Sequence, residues 1–161
     1  MFSRKRIEDY LKKIEKRFFI APRQKFSFSE NWFQEIPLEA GIYGIFNQNK
    51  LIYIGETGSL RGRMRDLGRT VNHQFRRSVG KNMFSRVKGF EEASSRKKFP
   101  LNIEKKLNKW MEQKLEIAVL PILFGRKEIE EYICKEYKPK CNTRVKRECR
   151  KINENHRNLS L

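Results

Sequence analysis

Apolar residues recur every three or four positions through residues 4–18, "RKRIEDYLKKIEKRF", where Ile7, Tyr10, Leu11, Ile14 and Phe18 share one side of a helix whose other side is basic. The spacing predicts an amphipathic packing helix. Pro22 breaks the pattern, and "RQKFSFSENWFQEIPLEAG" reads as an irregular or partly extended connector that covers one edge of the core. Two short Ile- and aromatic-rich runs follow, "GIYGIF" and "LIYIG", with "NQNK" between them as a hairpin signal. A three-residue loop over Asn47–Asn49 predicts Tyr43 directly opposite Tyr53, with both rings on one sheet face. A four-residue loop would send them to opposite faces.

Beyond the hairpin, Ser59 is the predicted N-cap of a helix "LRGRMRDL". Leu60, Met64 and Leu67 cluster within about 60° and form its buried stripe. Arg63 falls about 60° from Leu60, on the flank of that stripe, whereas Arg61 and Arg65 point away. The segment "GRTVNHQFRRSVGKNMFSRVKGF" shows little periodicity. Residues 101–113 predict a further helix, and "LEIAVLPI" a third strand in which Pro121 marks an edge position or the strand's end. "GRKEIEEYICKEYKPKCN" predicts a last helix, ending near Lys138 because Pro139 cannot continue it. Strands mixed with helices give an α/β (α+β) fold, and 161 residues suffice for one domain.

Charge changes the picture from fold to partner. Thirty-seven Lys and Arg against 19 Asp and Glu leave a net charge of +18, which points to a polyanion. Residues 61–88 carry nine basic residues and one acid, and residues 138–157 eight and two. Long apolar runs are missing, and "MFSRKRIEDY" lacks the stretch of a secretory signal, so the expectation is a cytoplasmic protein away from membranes. Cys134, Cys141 and Cys149 have no CxxC spacing and read as free thiols.

Four landmarks stand in order: "GIY" at 41–43, "YIG" at 53–55, an arginine eight positions after Gly55, and "EEYICKEYKPKCN" at 130–142. Together they resemble the GIY-YIG nuclease domain family over about residues 39–142. The resemblance implies a three-stranded antiparallel sheet flanked by helices that hydrolyses phosphodiester bonds with one divalent metal, Mg²⁺ or Mn²⁺. By position, Tyr43 and Tyr53 answer to the two motif tyrosines, Arg63 to the helix arginine, Glu130 to the metal-binding glutamate and Asn142 to the closing asparagine. Glu130 lies about 85° from the centre of its helix's apolar stripe, which turns it along the surface; Glu131 is nearly opposite that stripe.

Those residue types suit phosphodiester hydrolysis. A forked, permanently charged Arg63 clamps a phosphate, and a hard cation on one carboxylate offsets charge on the leaving oxygen. A tyrosine titrating near 10 is a poor base, so the expectation is that cationic neighbours lower Tyr43. Many family members carry a histidine four residues after the helix arginine. Leu67 stands there instead, and His73 is the substitute candidate, with Lys81 and Asn82 as candidates for phosphate contact. Arg61, Arg65, Arg69, Arg76 and Arg77 complete the expected nucleic-acid-binding set.

The resulting expectation is an N-terminal extension over 1–38, a nuclease core over 39–142 with a basic insertion at about 68–100, and a basic tail over 143–161. The function is a divalent-metal-dependent endonuclease acting on double-stranded DNA, of restriction-like or repair and mobile-element type. Cutting both strands with one site per chain suggests a homodimer. A non-catalytic nucleic-acid-binding module on the same fold and an RNA-directed nuclease are the alternatives.

Overall fold

The computed structural model describes residues 4–142; the predicted basic tail and Cys149 lie outside them. Helix α1 (Arg4–Ile20) leads into strand β1 (Arg23–Lys25) and the short helix α2 (Glu30–Glu35). The hairpin of β2 (Gly41–Asn47) and β3 (Lys50–Thr57) follows, and then α3 (Leu60–Leu67), α4 (Gln74–Phe84), α5 (Leu101–Lys114), β4 (Leu115–Pro121) and α6 (Arg126–Tyr137).

The sheet is antiparallel, in the order β1-β4-β2-β3. It has four strands rather than the expected three, because Arg23–Lys25 of the connector pair with Glu116–Ala118. That addition makes β4 an interior strand. Pro121 is therefore not an edge residue; it closes the strand opposite Gly41, where a missing N–H costs the ladder least. With β1 in the sheet and α1 packed on it, residues 4–38 are built into the same core as the rest.

Strand β2 is covered on both faces, which is why "GIYGIF" is apolar throughout. Ile42 and Phe46 pack with Ile14 and Phe18 of α1 and Ile129 and Ile133 of α6. Tyr43 and Ile45 face the other way, toward Leu60, Met64 and Leu67 of α3, Phe75 and Val79 of α4, and Ile103, Leu107 and Met111 of α5. The amphipathic stripe of α1 is only half used: Ile14 and Phe18 are buried, but Ile7 and Tyr10 are exposed.

The hairpin departs from its expected register in an instructive way. Asn47 pairs with Lys50, so the turn is two residues, Gln48 and Asn49, both with positive φ (49° and 63°) as a type I′ turn demands. Continued regularly, that register would put Tyr43 and Tyr53 on opposite faces. A bulge at Ile52 restores the parity: Phe46 pairs with Leu51, Ile45 with Tyr53, and Tyr43 with Gly55. The tyrosines share a face as expected, but diagonally rather than directly opposed.

Candidate active site

Tyr43 is the centre of the site, and its own strand partner makes room for it. Its ring lies across Gly55, where a Cβ would come within 2.5 Å of the phenol oxygen. The glycine of "YIG" is thus required by the tyrosine of "GIY". Tyr43 and Tyr53 have ring centroids 5.9 Å apart.

Helix α3 supplies the cation. Ser59 caps it by accepting from the Gly62 N–H, and its apolar stripe of Leu60, Met64 and Leu67 is fully buried against the sheet. The flank position of Arg63 then brings its Nε to donate to the Tyr43 hydroxyl at 3.2 Å. Arg61 and Arg65 point elsewhere. Arg61 donates to the Ile36 and Gln34 carbonyls and to the Gln34 side chain, and Arg65 pairs with Glu30, whose carboxyl is held at about 2. Both arginines tie α3 to α2 in this conformation rather than facing outward for nucleic acid.

His73 arrives from the turn before α4. It is that helix's N-cap residue, yet its side chain makes no capping bond. The ring turns inward instead, with Nε2 2.9 Å from the Tyr43 hydroxyl and its centroid 5.6 Å from that of Tyr53. It is fully buried, and Nδ1 has no partner among the described residues. Leu67, four residues after Arg63, is a core residue of α3.

Burial sets the protonation states. It pushes the Tyr43 phenol well above its ordinary value of 10.0, with the adjacent Tyr53 adding to the rise and the Arg63 charge opposing it. The expected lowering of Tyr43 is therefore corrected: desolvation of a fully buried phenolate outweighs one neighbouring cation. Burial, then the charges of Arg63 and Arg77, push the His73 imidazole down to about 3, so the ring is neutral at pH 7. Tyr53 also rises, first through burial, opposed by Tyr43 and Arg63, with the negative charge of Glu130 adding to it. Burial works against the Arg63 charge, but the two tyrosines and Asp66 outweigh it and raise its pKa.

Helix α6, which carries Glu130, packs beside β3. Ile129 and Ile133 of α6 are buried against the sheet, leaving Glu130 partly exposed at the flank beside β3. The buried Tyr43 and His73 thus form the back of the cluster and the partly exposed Tyr53 and Arg63 its mouth, while Glu130 is partly exposed on the neighbouring α6. Among the described residues no three His, Cys, Asp or Glu side chains gather into a cage. A single carboxylate such as Glu130 suits a hard cation that retains most of its waters.

The profile of the GIY-YIG catalytic domain family matches residues 39–117, from the approach to β2 through Ile117 of β4. This chain carries a GIY-YIG catalytic domain. No curated protein matches it. Similar solved structures include the magnesium-bound GIY-YIG N-terminal endonuclease domain of UvrC from Thermotoga maritima, at 19% identity over 81% of this chain and 97% of that one, with a TM-score of 0.37. Two tyrosine-to-phenylalanine variants of that domain, bound to its catalytic divalent cation, give 20% identity over 81% and 97% with a TM-score of 0.37, and 19% over 82% and 97% with 0.35. No residue role is transferred at that distance.

The remaining candidates separate by position. Asn142 works on the backbone of β3: its Oδ1 accepts from the Ile54 N–H at 2.9 Å and its Nδ2 donates to the Ile54 carbonyl at 2.6 Å. The Cys141 N–H donates to the Ile52 carbonyl. Together they finish the open edge of the strand that carries Tyr53. Arg76, expected on a nucleic-acid surface, is instead 1% exposed and enclosed by Thr70, Glu104, Asn108 and Met111. Arg77 donates to the Thr70 and Val71 carbonyls. Lys81 is exposed and pairs with Glu92, while Asn82 and Arg69 are exposed. Cys134 and Cys141 are free thiols that burial pushes up, Cys134 to about 12, so neither is a reactive thiolate. Among the described residues no helix is long and apolar enough to cross a membrane.

Proposed function

We propose that this protein is a divalent-metal-dependent endonuclease that hydrolyses phosphodiester bonds of double-stranded DNA. The observation that carries the reading is the Tyr43 hydroxyl held between Arg63 Nε and His73 Nε2, with Tyr53 beside it and the charge of Glu130 reaching Tyr53. One partner would satisfy a buried hydroxyl; a charged arginine and a neutral imidazole together on it exceed that need.

Glu130 would hold the metal, which when bound supplies charge neutralisation at the leaving oxygen. Arg63, half-buried and permanently charged, clamps a phosphate oxygen at the mouth. Tyr53 meets and orients the attacking water. Behind it, Tyr43 carries the proton inward: in the Nδ1-protonated tautomer His73 Nε2 is free to accept the phenol hydrogen. His73 is a weak base at about 3, depressed first by burial and then by the charges of Arg63 and Arg77; a bound phosphate would offset only those charges. Removing one such group costs on the order of a hundredfold in rate.

Net charge of +18 favours nucleic acid over small phosphoesters. A homodimer would let two single-site chains cut both strands. Supercoiled plasmid incubated with Mg²⁺, with and without EDTA, tests the reading against wild type and Glu130→Ala. Nicking or linearisation by wild type alone, abolished by EDTA, is expected. DNA binding with no cleavage by either protein would identify a binding module, and cleavage confined to labelled RNA would reassign the substrate. Sequenced ends then separate the two types: a unique site means a restriction-like enzyme, and scattered or structure-dependent cuts mean repair.

A further inference from the structure

The His73 ring has one hydrogen-bond partner among the described residues, Tyr43, and lies near the rings of Tyr53 and Phe75. Its place is set by the backbone of the turn between α3 and α4, and that turn is tied down from three sides. From α3, Asp66 accepts from the Asn72 side chain at 2.9 Å. From α4, Arg77 Nη1 donates to the Thr70 and Val71 carbonyls at 2.9 and 2.8 Å. From α4 and α5 together, Arg76 Nε donates to Thr70 Oγ1 at 2.8 Å, Thr70 Oγ1 donates to Glu104, and Arg76 Nη2 donates to Glu104 at 2.6 Å.

A buried guanidinium is a poor device for stability, since its desolvation offsets most of what the ion pair gains. Apolar residues would fill the same volume at less cost. What an apolar residue at position 76 could not do is grip the Thr70 hydroxyl, three residues before the histidine; Arg77, only partly buried, holds the Thr70 and Val71 carbonyls beside it.

We propose that Arg76 and Arg77 are positioning residues: together they clamp the turn at residues 70–73 and so hold the His73 imidazole against the Tyr43 hydroxyl. The consequence for rate rests on the nuclease reading above; the consequence for geometry does not.

Arg77→Met keeps the length of the side chain and removes both carbonyl contacts, leaving the buried Arg76–Glu104 pair intact. Thr70→Val breaks the other half of the clamp, while Glu104 still accepts from Arg76 and from the Phe99 N–H. Both variants are expected to lower the single-turnover cleavage rate by about tenfold to a hundredfold, the cost of a misplacement near 1 Å. DNA affinity stays within about twofold of wild type, Arg77→Lys recovers part of the rate, and Lys105→Met, an equal loss of charge on the exposed face of α5, leaves the rate unchanged. Two-dimensional NMR of the imidazole nitrogens reads the geometry without any activity: the His73 ring signals and their contact to Tyr43 shift in Arg77→Met and Thr70→Val but not in Lys105→Met. Unchanged ring signals and rates in both clamp variants overturn the proposal, as does a loss confined to DNA affinity, which would make Arg77 a phosphate contact. If wild type proves inactive, the nuclease reading falls and the ring signals alone decide the clamp.

Discussion

Gly55 shows how one missing methyl builds the site. Its Cβ would overlap the Tyr43 ring, whose other sides are closed by Arg63, His73 and Tyr53, so the ring has nowhere to retreat. Gly55→Ala is expected to push the phenol off His73 and reduce cleavage about as much as Tyr43→Phe, on the order of a hundredfold, with DNA affinity preserved in a gel-shift titration. His73 makes a second residue-scale prediction. Its folded pKa of about 3 lies below the unfolded value near 6.5, so the unfolded chain binds the extra proton between those limits. The stability from keeping the ring neutral is complete above about pH 6.5 and is lost as pH falls toward 3. Urea unfolding at pH 7 and pH 5 should show wild type losing about 2 kcal/mol more than His73→Asn. The tyrosines and Arg63 were legible in the sequence because a strand and a helix fix where side chains point. The contact of His73 with Tyr43, 30 residues away, was not, because the turn that delivers it has no periodicity to read.

At the scale of elements, two departures from the simplest hairpin cancel. The two-residue turn reverses the facing of β3, and the bulge at Ile52 reverses it back before Tyr53. Deleting Ile52 should therefore straighten the ladder and leave Tyr53 opposite Ile45 on the shared face, so that cleavage survives, and Ile52→Val, which keeps the residue count, should leave cleavage within about threefold. Sequence reasoning reached the shared face by a wrong route: a three-residue loop and a two-residue loop with a bulge have the same parity. Helix α4 escaped for another reason. Its buried positions, Phe75, Arg76, Val79 and Gly80, do follow helical spacing, but two of the four are an arginine and a glycine, which a search for apolar residues passes over. Gly80 is there because the Phe99 ring would come within 2.4 Å of a Cβ, and Arg76 because Glu104 lies opposite.

Counted over the whole molecule, the charge overstates the surface offered to a polyanion. Four of the seven expected nucleic-acid contacts, Arg61, Arg65, Arg76 and Arg77, hydrogen-bond the protein's own carbonyls, carboxylates and hydroxyl groups. Arg69 is exposed and remains available. Arg69→Ala should lower DNA affinity and flatten the salt slope by about one, while Arg61→Ala, which frees the end of α2, should lower the melting temperature and leave the slope alone. The sum of 37 basic residues was readable at once; which of them are free depended on contacts up to 35 residues away along the chain. The clasp of Asn142 on Ile54 spans 88 residues and has a consequence in time. On a ribosome Tyr43 and Tyr53 emerge long before Glu130 and Asn142, by roughly 4 to 18 s at about 5–20 residues per second. For that interval β3 has an unsealed edge and the site no carboxylate. A chain released early would be harmless to the nucleic acids around it, and hydrolytic capacity would appear only with the last turn of the fold.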